Sequence, residues 1–425
     1  MRHTIKLLPS RIGNLAKLQL NNPAALNALT IDMAHCFTDT LTSWNNDPSL
    51  YAFLLEGGDS LEGKPKAFCA GGDVKSIYQA TIQDFNDSNE KAELHGYGHR
   101  NLSSSEFFRD EYKLNHLLAT QSLSSTKVPQ ISIWNGLVLG GGVGISQHGA
   151  YRIATQNTLF GMPETKIGLF PDVGSTYWMP RRLEGGLGNF LALTGRILNA
   201  QDCLYAGLAT HYVREDRLEE LVEALIQAGN INGDDSLEDN KNDQHVLDSS
   251  RPPVASVLMK FHEDIGRDLP DSYLKRHRNE IDAAFAGKNR IEDILQTLEQ
   301  MKKQESASDQ KSMFATQSLE TLHKMSPTAL KLTLEGLSRG KKLNSIAECL
   351  QMEFRMMQRC MRRESDFYKG IRAVLIDKTK DSPKWNPSTV EGVKDEEIDE
   401  FFEPLDEHNE LDLLSGGTSS SYSKL

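Results

Sequence analysis

Short apolar runs alternate with helix-length segments through the first half of the chain. Residues 53–55, 131–134 and 151–154 are largely apolar stretches of strand length, bounded by polar or Gly-rich turns, the pattern of buried strands. Residues 5–8 and 15–20 flank a turn at 9–13 and predict an opening hairpin. Residues 1–230 therefore read as an α/β core. Residues 231–251 (INGDDSLEDNKNDQHVLDSSR) are polar and acid-rich, which predicts a linker or surface loop instead of a packed element.

Beyond Pro252 and Pro253 the hydrophobic period lengthens to that of helices. Ile291, Ile294, Leu295 and Leu298 share one helical face, and so do Ile346, Leu350, Phe354, Met357 and Met361. Ser326-Pro327 is a helix start, with the proline at the first helical position. Residues 252–405 form a predicted helical region, and 406–425 a flexible tail that ends in a stretch rich in Gly and Ser.

Composition narrows the choice of partners. The chain has 425 residues and a formal charge of −12, an acidic balance that argues against nucleic acid. A phosphate-bearing ligand stays open, because a local basic cluster or helix N-terminus can hold one. Cys36, Cys69, Cys203, Cys349 and Cys360 stand apart with no CxxC pair, so neither a disulfide framework nor a zinc site is expected. His95 and His99 are four apart, but Gly96 and Gly98 disfavour a helix there and no third ligand lies near. No run reaches the roughly 18 apolar residues that a membrane span needs.

The two ends carry opposite hints of address. Residues 1–31 hold Arg2, Lys6, Arg11 and Lys17 and no acid, as a mitochondrial leader would, but the hairpin reading accounts for the same segment. The chain finishes Ser423-Lys424-Leu425, the peroxisomal import signal. That tripeptide predicts the import receptor as a partner and the peroxisome as the location, with the mitochondrion as the alternative.

The chemistry concentrates in residues 128–182. A buried strand at 131–134 leads to Gly140, Gly141 and Gly142, and then to a helix predicted near Val143. Glycines at such a turn let a ligand approach the backbone, with N–H groups aimed at it; a tight packing turn is the plainer reading. The string is neither a phosphate loop nor a dinucleotide fingerprint, and the chain has no Gly-x-Ser-x-Gly. Upstream, Ala70, Gly71 and Gly72 precede Asp73, which is placed to cap a helix beginning near Val74. Two such turns can clamp one oxygen from two sides, as an oxyanion hole for a thioester carbonyl requires. Glu164 and Asp172 lie among Met162, Ile167, Leu169, Phe170, Val173 and Trp178. A carboxylate beside apolar walls has a raised pKa, suited to general acid or base work; as purely structural residues, the two would cap helices.

Three strings together resemble the crotonase superfamily: NPAALNAL at 22–29, FCAGGD at 68–73, and NGLVLGGGVG at 135–144 followed by PETKIGLFPDVG at 163–174. The first hydratase glutamate of that superfamily falls on Gly144 and the second on Glu164, while the hydrolase-branch aspartate falls on Asp172. The last string is similar to 3-hydroxyisobutyryl-CoA hydrolases, as are FFRDEYKLN at 107–115, KMSPTALKLTL at 324–334 and SPKWNP at 382–387. The resemblance implies an α/β crotonase fold of repeated ββα spiral units, with a helical C-terminal region closing over the acyl pocket. It implies an acyl-CoA substrate, no separate cofactor, a place in valine or propionate breakdown, and a possible homo-oligomer. It also implies that Gly72 and Gly141 donate to the thioester oxygen and that Glu111 lines the acyl pocket. Asp172 would then bind the 3-hydroxyl, and Glu164 would act as base or nucleophile.

Loss of the first glutamate removes a charge and is expected to open space at Gly144, which moves the chemistry from the β-carbon to the carbonyl carbon. The alternatives are an enoyl-CoA hydratase or isomerase, against which Gly144 stands, and a non-catalytic subunit of the mitochondrial ribosome. Intact Glu164, Asp172 and both Gly turns stand against the latter.

Overall fold

The computed structural model describes residues 7–87, 103–122, 128–230, 252–263, 265, 272–304, 310–362, 365–379, 382–406 and 408–413. The predicted linker at 231–251 and the Ser-Lys-Leu end of the tail lie outside the described residues.

Nine strands are described: β1 (Leu7–Ile12), β2 (Leu15–Leu20), β3 (Ala52–Gly57), β4 (Ala67–Cys69), β5 (Gln130–Trp134), β6 (Leu137–Leu139), β7 (Tyr151–Ala154), β8 (Leu159–Gly161) and β9 (His211–Tyr212). They form a six-stranded sheet in the order β1-β2-β3-β5-β7-β9 and a three-stranded sheet in the order β4-β6-β8. Only β1–β2 is antiparallel. Parallel neighbours need crossovers, and helices supply them. The core helices are α1 (Ile31–Trp44), α2 (Val74–Asp87), α3 (Ser103–Ser122), α4 (Gly141–Gly144), α5 (Ser175–Arg182), α6 (Leu187–Thr194), α7 (Ala200–Tyr205) and α8 (Leu218–Gly229). Each pair β3–β4, β5–β6 and β7–β8 gives its first strand to the large sheet and its second to the small one, then enters a helix. That repeat is the ββα spiral of the crotonase fold.

The strand cores were legible because they are buried on both faces. Leu54, Ile131, Ile133 and Ile153 face one apolar cluster with Leu221 and Leu225 of α8, joined by Val257 and Leu258 of α9 (Val254–Phe261). Phe53, Leu55, Trp134 and Ala154 face the other, larger cluster. The hairpin differs from expectation in its turn: residues 9–12 belong to β1, with Pro9 opposite Leu18, and the reversal falls at Gly13 with φ 59°. Because β1 is an edge strand, it tolerates the missing N–H of proline.

The C-terminal region continues with α10 (Tyr273–Arg276), α11 (Arg278–Phe285), α12 (Ile291–Gln304), α13 (Gln310–Leu322), α14 (Pro327–Lys342), α15 (Ile346–Cys360), α16 (Asp366–Ile371) and α17 (Asp395–Asp399). Ser326 caps α14, its hydroxyl accepting from the Ala329 N–H at 3.1 Å, and Ser345 with Glu348 forms a capping box on α15. α14 packs on α5, and α15 packs on α3 and α5, so this region braces the spiral core. Among the described residues no helix is long and apolar enough to cross a membrane.

Candidate active site

The turn from β4 to α2 is tied down by its own backbone. Leu29 N–H donates to Gly71 O at 2.8 Å and Asp73 N–H to Leu29 O at 2.8 Å, which leaves the Gly72 N–H between them without a partner among the described residues. Asp73 accepts from the Ser76 N–H at 3.2 Å, as an N-cap should. The second turn opens α4, where the first-turn N–H groups have no partner within a helix and Gly141 is given none among the described residues. The two turns touch. A methyl group on Gly141 would stand 3.1 Å from Gly72 N and would collide with Glu111 Oε1, and one on Gly140 would stand 2.9 Å from Glu164 Oε1. Only glycine lets the backbone come this close to both carboxylates.

Glu111 comes from α3, Glu164 from the 3-10 turn Glu164–Ile167, and Asp172 from the loop before α5. They are 2%, 7% and 5% exposed. Burial pushes all three upward. For Glu164 the charges of Asp172 and Glu111 add to it, and for Glu111 the charge of Asp172 does. Asp172 rises to about 7, held there against the pull of a hydrogen bond from Tyr112. Glu111 Oε1 and Glu164 Oε2 have no partner among the described residues, so both point unsatisfied acceptors inward. The capping roles do not fit. The Glu164 turn has Pro163 as its N-cap with no side-chain cap bond, and Asp172 Oδ2 accepts from the Tyr112 hydroxyl at 2.8 Å.

The residue after Asp172 is strained. Val173 has φ 52°, a left-handed conformation that costs a β-branched residue about 1–3 kcal/mol. His148 Nε2 donates to Val173 O at 3.0 Å; burial pushes this histidine down to about 4, so it does so as the neutral imidazole. Gly174 N–H donates to Glu353 Oε2 at 2.7 Å, and Thr176 N–H to Glu353 Oε1 at 2.9 Å.

Gly72, Gly141, Glu111, Glu164 and Asp172 all line one cavity of about 1190 Å³. Phe107, Phe108, Leu139 and Leu169 supply apolar wall, while Thr321, Met325, Leu375 and Pro383 bring the C-terminal region over it. Gly144 is not in this wall. A Cβ there would lie 2.6 Å from Val173 Cβ and 2.9 Å from Asn115 Nδ2, so the expected open space is in fact filled by those two side chains.

Sequence reasoning missed Tyr112 and Glu353. Tyr112 had a local signal, since it follows Glu111 on the same helix; Glu353 had none, because its contacts lie 177 and 179 positions away. His95 and His99 lie outside the described residues. Among the described residues no group of three or more His, Cys, Asp or Glu side chains could hold a metal ion.

A family model described as "Enoyl-CoA hydratase/isomerase" matches residues 15–402. The solved carnitinyl-CoA dehydratase of Mycobacterium thermoresistibile superimposes with a TM-score of 0.76 at 30% identity, covering 97% of this chain and all of that one. Fold and family model together define a crotonase-fold enzyme of the enoyl-CoA hydratase/isomerase class. The mitochondrial 3-hydroxyisobutyryl-CoA hydrolase of Danio rerio is 39% identical over 95% of this chain and 91% of the relative. The Homo sapiens protein of the same name is 37% identical over 94% and 89%. At that identity over nearly the whole length, the chain belongs to the 3-hydroxyisobutyryl-CoA hydrolase family.

The same names correct the peroxisomal expectation. Both relatives are mitochondrial proteins, which points to the mitochondrion and away from the peroxisome and its import receptor. Ser423-Lys424-Leu425 lies outside the described residues.

Proposed function

We propose that the protein hydrolyses the thioester of 3-hydroxyisobutyryl-CoA, releasing CoA and the free hydroxy acid, as a step of valine breakdown. The observation that carries this reading is the meeting of Gly72 and Gly141, each with an unengaged N–H, beside the unsatisfied carboxylate of Glu164 in one cavity. The two N–H groups hold the thioester oxygen as it becomes an oxyanion, and losing one such donor costs about 3–4 kcal/mol of barrier. Glu164 acts on the acyl carbon. As general base it takes a proton from water, whose oxygen bonds to that carbon as the carbon–sulfur bond breaks. As nucleophile it forms an anhydride that water then opens. Either way the thiolate of CoA leaves and takes up a proton. Asp172 accepts the hydrogen bond of the 3-hydroxyl, and Glu111 closes the pocket behind it. No cofactor beyond the CoA of the substrate enters these steps.

The relatives are named as hydrolases, which disfavours the hydratase and ribosomal alternatives. The test is CoA release from 3-hydroxyisobutyryl-CoA by the purified protein, beside Glu164→Ala and Asp172→Ala. Rapid release is expected, lowered roughly 10²- to 10⁴-fold by Glu164→Ala and strongly by Asp172→Ala. Release indifferent to Glu164, or efficient hydration of crotonyl-CoA, overturns the reading.

A further inference from the structure

Glu353 is a fully buried carboxylate on α15 that the proposed chemistry does not use. Its two oxygens take three donors from one short turn. Oε2 accepts from the Gly174 N–H at 2.7 Å, and Oε1 accepts from the Thr176 N–H at 2.9 Å and the Thr176 hydroxyl at 2.7 Å. That turn begins at Asp172 and contains Val173 with its left-handed φ of 52°. Strained turns of this kind persist where their surroundings over-determine them. The neighbouring residue on the same helix, Phe354, packs edge-on against the ring of Tyr112 at 6.2 Å, and Tyr112 holds Asp172 itself. Two adjacent residues of the C-terminal region thus brace Asp172 from both sides.

From this geometry we infer that Glu353 is a positioning residue, clamping the 172–176 turn so that the Asp172 carboxylate meets the 3-hydroxyl of the substrate. The inference rests on the hydrolase reading of the site, through the role given there to Asp172. A carboxylate suits the task because both its oxygens accept. An amide in its place presents an N–H to one of the donors and releases that end of the turn.

The test compares kcat/KM for 3-hydroxyisobutyryl-CoA with that for isobutyryl-CoA, which lacks the hydroxyl, in the wild type, Glu353→Gln and Thr176→Val. A wild-type preference for the hydroxylated substrate is expected, falling about tenfold in Glu353→Gln and less in Thr176→Val. A merely structural role lowers the active fraction, which scales both substrates alike and leaves the ratio untouched. Thr176→Val removes only the hydroxyl donor and carries the test where Glu353→Gln does not fold. A wild-type preference that survives in the variants overturns this inference alone. Absence of any preference in the wild type overturns the assignment of Asp172, and this inference with it.

Discussion

Tyr112 and Asp172 are joined by a 2.8 Å hydrogen bond although 60 positions separate them in the chain, the tyrosine hydroxyl donating to Oδ2. Asp172 shares its cavity with Glu111 and Glu164, and burial favours its neutral form. The donated hydrogen bond works in the opposite direction, because it stabilises the anion. In the role proposed for it, as acceptor for the substrate hydroxyl, Asp172 works as the anion.

Tyr112→Phe removes that donor at almost constant volume. With it gone, the Asp172 pKa climbs above its value of about 7, and a larger share of the enzyme is protonated at neutral pH. The acidic limb of kcat/KM against pH for 3-hydroxyisobutyryl-CoA then moves upward. Activity near pH 6.5 falls by about tenfold, the worth of one charge-assisted hydrogen bond, and recovers toward the alkaline side. A uniform fall at every pH, with the limb unmoved, would show that the tyrosine merely packs.

Gly144→Glu tests whether the packing at this position excludes hydration chemistry. The substitution restores the residue that hydratases carry there, yet its Cβ would meet Val173 Cβ at 2.6 Å and Asn115 Nδ2 at 2.9 Å. Overpacking of this kind typically costs about 1–3 kcal/mol, and here it presses on a residue already held in a strained conformation. The expected outcome is a melting temperature lower by at least about 2 °C, with no gain of crotonyl-CoA hydration. Appearance of hydratase turnover in a stable variant would mean that the glutamate finds room the wild-type packing does not suggest.

The contrast between these two positions shows what the sequence could reveal. Gly72, Gly141, Glu164 and Asp172 sit in short strings whose chemistry is local: two glycine turns, and two acids among apolar neighbours. The strands were legible for a similar reason, since burial on both faces leaves continuous apolar runs such as residues 52–55. Convergence was a different matter. That Glu111 Oε1 lies against Gly141, or that Glu353 grips Gly174, depends on how α3 and α15 pack on the spiral, and no spacing along the chain encodes it. The filling of the Gly144 site went unseen because a missing side chain reads as space until its neighbours are placed.

Glu111→Gln should stabilise the protein, and more so as pH rises. Burial, with the charge of Asp172 behind it, raises the Glu111 pKa well above its ordinary 4.5, and Oε1 has no partner among the described residues. A carboxyl whose folded pKa exceeds its unfolded one binds its proton more tightly in the native state. Its contribution is therefore complete below the unfolded value and is lost as pH climbs through the folded one. Asp172 at about 7 follows the same sign, so the site becomes less stable from mildly acidic to mildly alkaline pH. Glutamine cannot ionise, and it also relieves Asp172 of a neighbouring charge. The gap in melting temperature between variant and wild type should widen from pH 5.5 to 8.5, reaching about 2–4 °C for each kcal/mol recovered. A gap that stays constant or closes over that range would mean that Glu111 is not an uncompensated buried acid. A widening gap, with CoA release reduced, would place the instability where the proposed function demands it, because three acids gathered in one cavity are not also the most stable arrangement of its side chains.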